Sequence, residues 1–187
     1  MLPLFIVLGF LVLIAFFIIG IYNRLVALRQ TCNQAWSDIE VQLKQRQDLV
    51  PQLVNTVKGY AKHEKSTLEE VIQARNMAAN AGGVQGQAQA EGMLGAALGK
   101  LFALAEAYPD LKANTKYLQL QDEISDVEDK IAASRRFYNN AVQEYNTASE
   151  QFPANMIAGP FGFNQREFFE AIEGREVLET PVEVNFD

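Results

Sequence analysis

The sequence is poor in the residues that build reactive sites. It holds one cysteine, Cys32, and one histidine, His63, in 187 residues. A lone thiol excludes an internal disulfide framework. A lone histidine excludes the pair of Glu-x-x-His motifs that a carboxylate-bridged di-metal bundle needs, and Tyr60, not a glutamate, stands three residues before His63. Zinc sites likewise need several His or Cys ligands. The phosphate-cradling patterns GxGxxG and GxxxxGK[ST] are missing too. Cys32 falls on an apolar helical stripe, so it reads as a packed thiol, not a nucleophile. His63 falls in a polar stretch and reads as a solvated turn residue. These absences point to a chain without catalytic residues, metal or cofactor.

Charge is missing from the start of the chain. Leu2 to Ile21 run for twenty residues without a charged or polar side chain. At about 1.5 Å per residue, a helix of that length crosses the roughly 30 Å hydrocarbon core of a bilayer. The run predicts a transmembrane anchor over residues 1–23. Leu2, Phe5, Phe10, Phe16 and Ile21 would face lipid, and Tyr22 would place its ring at the interface. A secretory signal would need a basic leader, a shorter apolar core and a small-x-small cleavage site, and these are not found here. Arg24 and Arg29 follow the run and no Lys or Arg precedes it. The positive-inside rule therefore predicts an outer N-terminus and a cytoplasmic remainder. The 23 acidic and 16 basic residues all lie beyond the anchor, for a net charge of −7. That balance argues against nucleic acid as a partner.

Periodicity beyond the anchor is helical. Trp36, Leu43, Val50 and Val57 recur every seven residues, and Leu25, Leu28, Cys32, Ile39, Leu49, Leu53 and Tyr60 widen the stripe. No breaker parts this helix from the anchor. Pro51 lies inside it and predicts a kink near Gln47–Val50. Ser66 with Glu69 has capping-box spacing and would begin a second helix, ending at Ala81-Gly82-Gly83. Residues 82–92 read as a flexible connection. A third helix follows from about Ala88 to Ala107. Its Gly92, Gly95 and Gly99 suit tight packing in a bundle better than a re-entrant membrane segment, because Lys100 and Glu106 interrupt it. The fourth helix carries an unbroken seven-residue series: Tyr117, Ile124, Ile131, Tyr138, Tyr145 and Phe152. The prediction is an all-α chain: one transmembrane helix, an elongated up-and-down bundle of about four helices over residues 24–152, and an irregular tail over residues 153–187, extended in character at Pro181–Phe186.

Three segments resemble a known family. YNRLVALRQTCNQAWSDIEVQLKQRQDLVPQLVNTVKGYAKHEKSTLEEVIQARN (22–76), LFALAEAYPDLKAN (101–114), and the span from RRFYNNAVQEYNT to FPANMIAGPFGFNQREFFEA (135–171) are similar to the LemA family of bacterial membrane-anchored proteins. The resemblance implies a short N-terminal anchor and an up-and-down helical bundle. It implies no reaction, and it points toward a scaffold or adaptor in the cell envelope, with a membrane protease among the partner types.

Two candidate surfaces remain. The tail gathers Phe161, Phe163, Phe168 and Phe169, and clustered aromatics mark partner or membrane surfaces when exposed. The alternative is that they pack over the end of the bundle. Arg166 and Arg175 could steady lipid headgroups beside them. In an up-down-up-down order the fourth helix descends toward the membrane and brings this tail to the root of the first. The second surface is the acidic group Asp122, Glu123, Asp126, Glu128 and Asp129, a weak candidate for divalent cations with a solvated helix face as its alternative. The sequence thus favours a non-enzymatic scaffold that acts by self-association or by binding another membrane protein, over a cation-binding or enzymatic bundle.

Overall fold

The computed structural model describes residues 2–170, and among them every regular element is helical. The order is α1 (Leu2–Tyr60), α2 (Lys65–Asn80), α3 (Gly83–Ala105), the single turn α4 (Pro109–Lys112), α5 (Thr115–Glu150) and α6 (Asn155–Ala158). Outside this description lie the Leu2 side chain and residues 171–187, which include Arg175 and the Pro181–Phe186 run. The apolar stretch and the heptad stripe after it form one uninterrupted helix, α1, with Pro51 inside it.

Two compact units make up the chain. The first takes Met1–Ile39 and Ser134–Glu167. Here α1 and α5 run antiparallel. The Trp36 and Tyr138 ring centroids are 5.5 Å apart, and fourteen residues earlier on α1 the Tyr22 ring meets Phe161 and Phe163 beyond the end of α5. The core holds Leu25, Cys32, Ala35 and Ile39 from α1, Tyr138, Ala141, Val142, Tyr145 and Ala148 from α5, and Ala158 and Phe163. Leu25, Cys32 and Ile39 repeat every seven residues, which keeps them on one face of α1. Burying a side chain such as Leu25 or Ile39 contributes about 1.5–3 kcal/mol. Before Ile21 the packing stops. From Leu4 to Ile19 the large apolar side chains are exposed on every side of the helix, with Phe5, Phe10 and Phe16 at 64%, 62% and 68%. An 18-residue window there reaches a mean hydropathy of 3.2, with none of it buried. By length and composition α1 can cross a membrane.

The second unit takes Glu40–Ala133 and Phe168–Asp187. It is a four-helix up-and-down bundle of α1, α2, α3 and α5, with α4 capping one end. Its core draws on Leu43, Val50, Leu53 and Val57 of α1, Leu68 and Val71 of α2, Leu94, Leu98 and Leu101 of α3, and Tyr117, Leu120, Ile124, Val127 and Ile131 of α5. The Asn114 Oδ1 accepts the Tyr117 N–H at 3.0 Å, and this side-chain cap starts α5.

Three local expectations are corrected. The Ser66–Glu69 capping box does not set the start of α2. The helix begins at Lys65 after Glu64, without a side-chain cap, and the Glu64 carboxylate instead accepts the Tyr108 hydroxyl at 3.2 Å. Most of the expected 82–92 connection is helix, because α3 begins at Gly83. Gly83 has φ +73°, a conformation glycine adopts readily, and with the extended Ala81 and Gly82 it leads the chain from α2 into α3. Past it the Ala and Gln residues are good helix formers, and Ala88 and Ala90 are buried. Gln87 ties the new turn down, its Nε2 donating to the Ala78 carbonyl at 3.0 Å and to Glu91 at 2.7 Å. Finally, Gly95 and Gly99 make no close approach. A Cβ on either would meet nothing within 4 Å, so the apolar stripe of α3 comes from its leucines.

Candidate functional site

In the first unit the segment after α5 is fastened to α1 and α5 by a set of polar contacts. The Tyr145 hydroxyl donates to the Asn164 carbonyl at 3.0 Å, and the Tyr138 hydroxyl donates to the Glu167 carbonyl at 3.0 Å. Seven residues of helix rise about 10.5 Å, and three residues of extended chain span about 10 Å. The two tyrosines are thus spaced to hold a nearly extended strip running back along α5. Asn146 adds a reciprocal pair: its Nδ2 donates to the Arg166 carbonyl and its Oδ1 accepts the Arg166 N–H, both at 2.9 Å. The Arg166 guanidinium donates to Asn33 Oδ1 on α1 at 2.6 Å and lies 5.9 Å from the Tyr145 ring centre. Arg166 is therefore engaged inside the unit. Burial raises both tyrosine hydroxyls above their ordinary pKa of 10, with Arg166 opposing the rise.

The turn before this strip sorts the aromatics. The Phe163 N–H donates to the Ala158 carbonyl at 2.9 Å, and Gly162 has φ +73°. That reversal sends Phe163 inward, where it is buried with Arg29 5.0 Å from its ring centre. Phe161 stays 57% exposed. Both rings meet Tyr22 edge-on, with centroids 5.4 Å away. Phe168 is partly exposed and Phe169 is buried. Of the four candidate aromatics, Phe161 and Phe168 retain exposed area, while Phe163 and Phe169 are corrected from surface to core. Phe152, expected as the last core position of the seven-residue series, lies past the end of α5 and is corrected to the surface at 81% exposed, and Met156, not singled out from sequence, is 69% exposed. Of the residues expected to form an anchor, Phe5, Phe10 and Phe16 are exposed along α1, Ile21 is half-covered and Tyr22 is 37% exposed.

The second unit carries a buried polar cluster that the sequence reading missed. Arg46 donates through Nη2 to Glu91 and through Nη1 to Glu128 Oε1, the latter at 2.9 Å. Arg46, Gln47 and Glu91 are all buried. The Arg75 Nε closes over the Gln47 carbonyl at 3.1 Å. A signal for this cluster was present. Ile39, Leu43, Arg46, Val50, Leu53 and Val57 follow alternate spacings of four and three, as do Gln87, Glu91, Leu94, Leu98, Leu101 and Ala105. Arg46 and Glu91 thus occupy core positions of two helices, one charge of each sign. In the acidic group of α5, Asp122, Glu123, Asp126 and Asp129 are exposed and Glu128 is bound to Arg46. Among the described residues no three His, Cys, Asp or Glu side chains gather closely enough to hold a metal ion. Cys32 is fully buried, and burial raises its thiol pKa.

Similarity to known proteins follows the helical part of the chain. The LemA family model matches residues 35–186. Protein LemA of Metamycoplasma hominis is 30% identical over 163 residues, covering 84% of this chain and 73% of that protein. Magnetosome protein MamQ 2 of Paramagnetospirillum magneticum is 27% identical over 175 residues, covering 80% of this chain and 64% of the relative. Magnetosome protein MamQ of Magnetospirillum gryphiswaldense is 27% identical over 174 residues, covering 79% of this chain and again 64% of the relative. The chain therefore spans just under two thirds of the length of the MamQ relatives. With the family pattern matched from Ala35 to Phe186, this chain belongs to the LemA family.

Proposed function

We propose that this chain is a single-pass membrane protein that works as a scaffold or adaptor of the bacterial cell envelope, without catalysis of its own. The observation that carries the proposal is the continuity of α1. Side chains exposed on all sides over the apolar run give way, without a helix break, to the buried stripe beginning at Leu25. A helix apolar all round has no place in water unless something covers it, and a bilayer matches its length. Arg24 and Arg29 favour a bundle on the cytoplasmic side and an N-terminus outside. The buried charges of the second unit are spent on one another, Arg46 on Glu91, which suits a chain that acts through its surfaces. Those surfaces would bind a second copy or another membrane protein, such as a membrane protease.

Crosslinking in native membranes, read by mass spectrometry, tests the scaffold role. It should return linked copies of this chain or a constant membrane-protein neighbour; a chain that crosslinks to nothing would count against it. For topology, Lys100→Cys tests sidedness, since Lys100 is exposed and the native Cys32 is buried. A cytoplasmic bundle predicts that the new thiol resists a membrane-impermeant reagent in intact cells, and ready labelling would place it outside.

A further inference from the structure

We propose that the exposed apolar collar of Phe152, Met156 and Phe161 is a second membrane attachment, seated among the lipid headgroups beside the point where α1 leaves the bilayer. The inference rests on the anchor reading and adds to it. If Leu2–Ile21 fill the hydrocarbon core, Tyr22 stands at its edge, because twenty residues at about 1.5 Å each match its roughly 30 Å. The headgroup layer beyond is about 5–7 Å deep on each side. The Phe161 ring centroid lies 5.4 Å from that of Tyr22, in the same unit, which keeps it within one headgroup depth of that edge.

Phe152 reaches the same level by a separate path. Trp36 and Tyr138 are side by side. Tyr22 lies fourteen residues before Trp36, and Phe152 lies fourteen residues after Tyr138 on the antiparallel partner, nearly all of it helix. Both therefore sit about 21 Å from the Trp36–Tyr138 pair, toward the anchor. Met156 follows one turn later, in α6. Phe152, Met156 and Phe161 are 81%, 69% and 57% exposed, yet the backbone that carries Phe161 is held firmly by the turn at Gly162 and the strip fastened to Tyr145 and Asn146. Apolar side chains held rigidly beside the bilayer edge can bury their area at the boundary between headgroups and acyl chains, as the Phe and Leu residues of interfacial helices do. A second attachment at one side of α1 would fix the rotation of the first unit about the membrane normal, and so the face it offers a partner.

The test uses the full-length chain in phosphatidylcholine vesicles whose headgroups carry a nitroxide quencher. Trp36 is the only tryptophan, so Phe161→Trp and Phe152→Trp in a Trp36→Phe background each report one position. Phe137→Trp is the control, exposed in the same unit next to Tyr138 and about 21 Å above the collar level. The expected result is protein that floats with the vesicles, with the emission of the Phe161→Trp and Phe152→Trp variants shifted to the blue and mostly lost to the quencher, while the Phe137→Trp control keeps its emission. Floating protein in which the Phe161→Trp reporter is unquenched and open to aqueous iodide overturns the collar and leaves the anchor standing. If that reporter is shielded from iodide but unquenched by lipid, the collar belongs to a second copy and the lipid reading is overturned. Protein that fails to float overturns both. If Trp36→Phe does not fold, Phe161→Cys with a nitroxide label in the otherwise native chain gives the same depth reading, since Cys32 is fully buried.

Discussion

The Tyr22 ring packs edge-on against that of Phe163, centroids 5.4 Å apart at an interplanar angle of 73°. Tyr22 is the first residue after the apolar run, and Phe163 lies in the segment beyond α5, so the contact joins residues far apart in sequence at the end of that run. It is held from both sides. Arg29 lies 5.0 Å from the Phe163 ring centre, and the strip from Asn164 to Glu167 hangs on the Tyr145 and Tyr138 hydroxyls.

Those hydroxyls give the tail a pH dependence. Burial raises both above the free value of 10. Between that value and the raised folded ones, the unfolded chain has lost protons the folded chain keeps, so stability falls as pH rises. Their contribution is whole below about pH 10 and is lost as the pH climbs through the folded values. Replacing both by phenylalanine should cost about 1 kcal/mol per lost hydrogen bond near neutral pH. It should also flatten the decline in thermal stability above about pH 10. Melts of the full chain in detergent would check this, and an identical alkaline slope in both proteins would contradict it.

Arg46 and Glu91 should behave as a coupled pair. Removing one partner of a buried ion pair leaves the other uncompensated and typically costs about 3–5 kcal/mol. Arg46→Met is expected to destabilise by that amount and Glu91→Leu by less, because Glu128 still pairs with Arg46 at 2.9 Å, whereas the double substitution should recover much of the loss. A double-mutant cycle by denaturant unfolding measures this. Additive losses would mean that the pair contributes no coupling.

Gly95 and Gly99 offer stabilisation of the opposite kind. Both lie inside α3 with open space where a Cβ would go. Alanine there should raise stability by about 0.5–1 kcal/mol at each site, because glycine loses more backbone freedom on folding. A lower melting temperature in the double variant would show that the glycines serve a close contact with another chain.

Much of this was legible in the sequence, for identifiable reasons. The seven-residue series from Tyr117 to Tyr145 names core positions of α5 because helical periodicity survives whatever packs against it. The long apolar start of α1 is legible because a twenty-residue uncharged run has few alternatives to a continuous helix. The 82–92 stretch misled because glycine suggests a loop, while the Ala88 and Ala90 burial that overrides it is tertiary and leaves no local mark. Phe163 and Phe169 misled because composition does not tell a buried aromatic from one left outside. For Phe163 that sorting depends on the φ of Gly162. Tyr138 and Tyr145 looked like plain core residues, and their hydroxyls became meaningful only once the backbone of residues 164–167 was placed beside them.

If residues 2–22 remain in the chain and hold it in the bilayer, one measurement shows it most directly. That measurement is the intact mass of the protein recovered from cell membranes after an alkaline carbonate wash. The predicted result is a carbonate-resistant species whose mass includes the whole apolar run, as in the 20.9 kDa chain. A carbonate-soluble species shortened by that run would contradict the anchor, because the run would then be a removed leader.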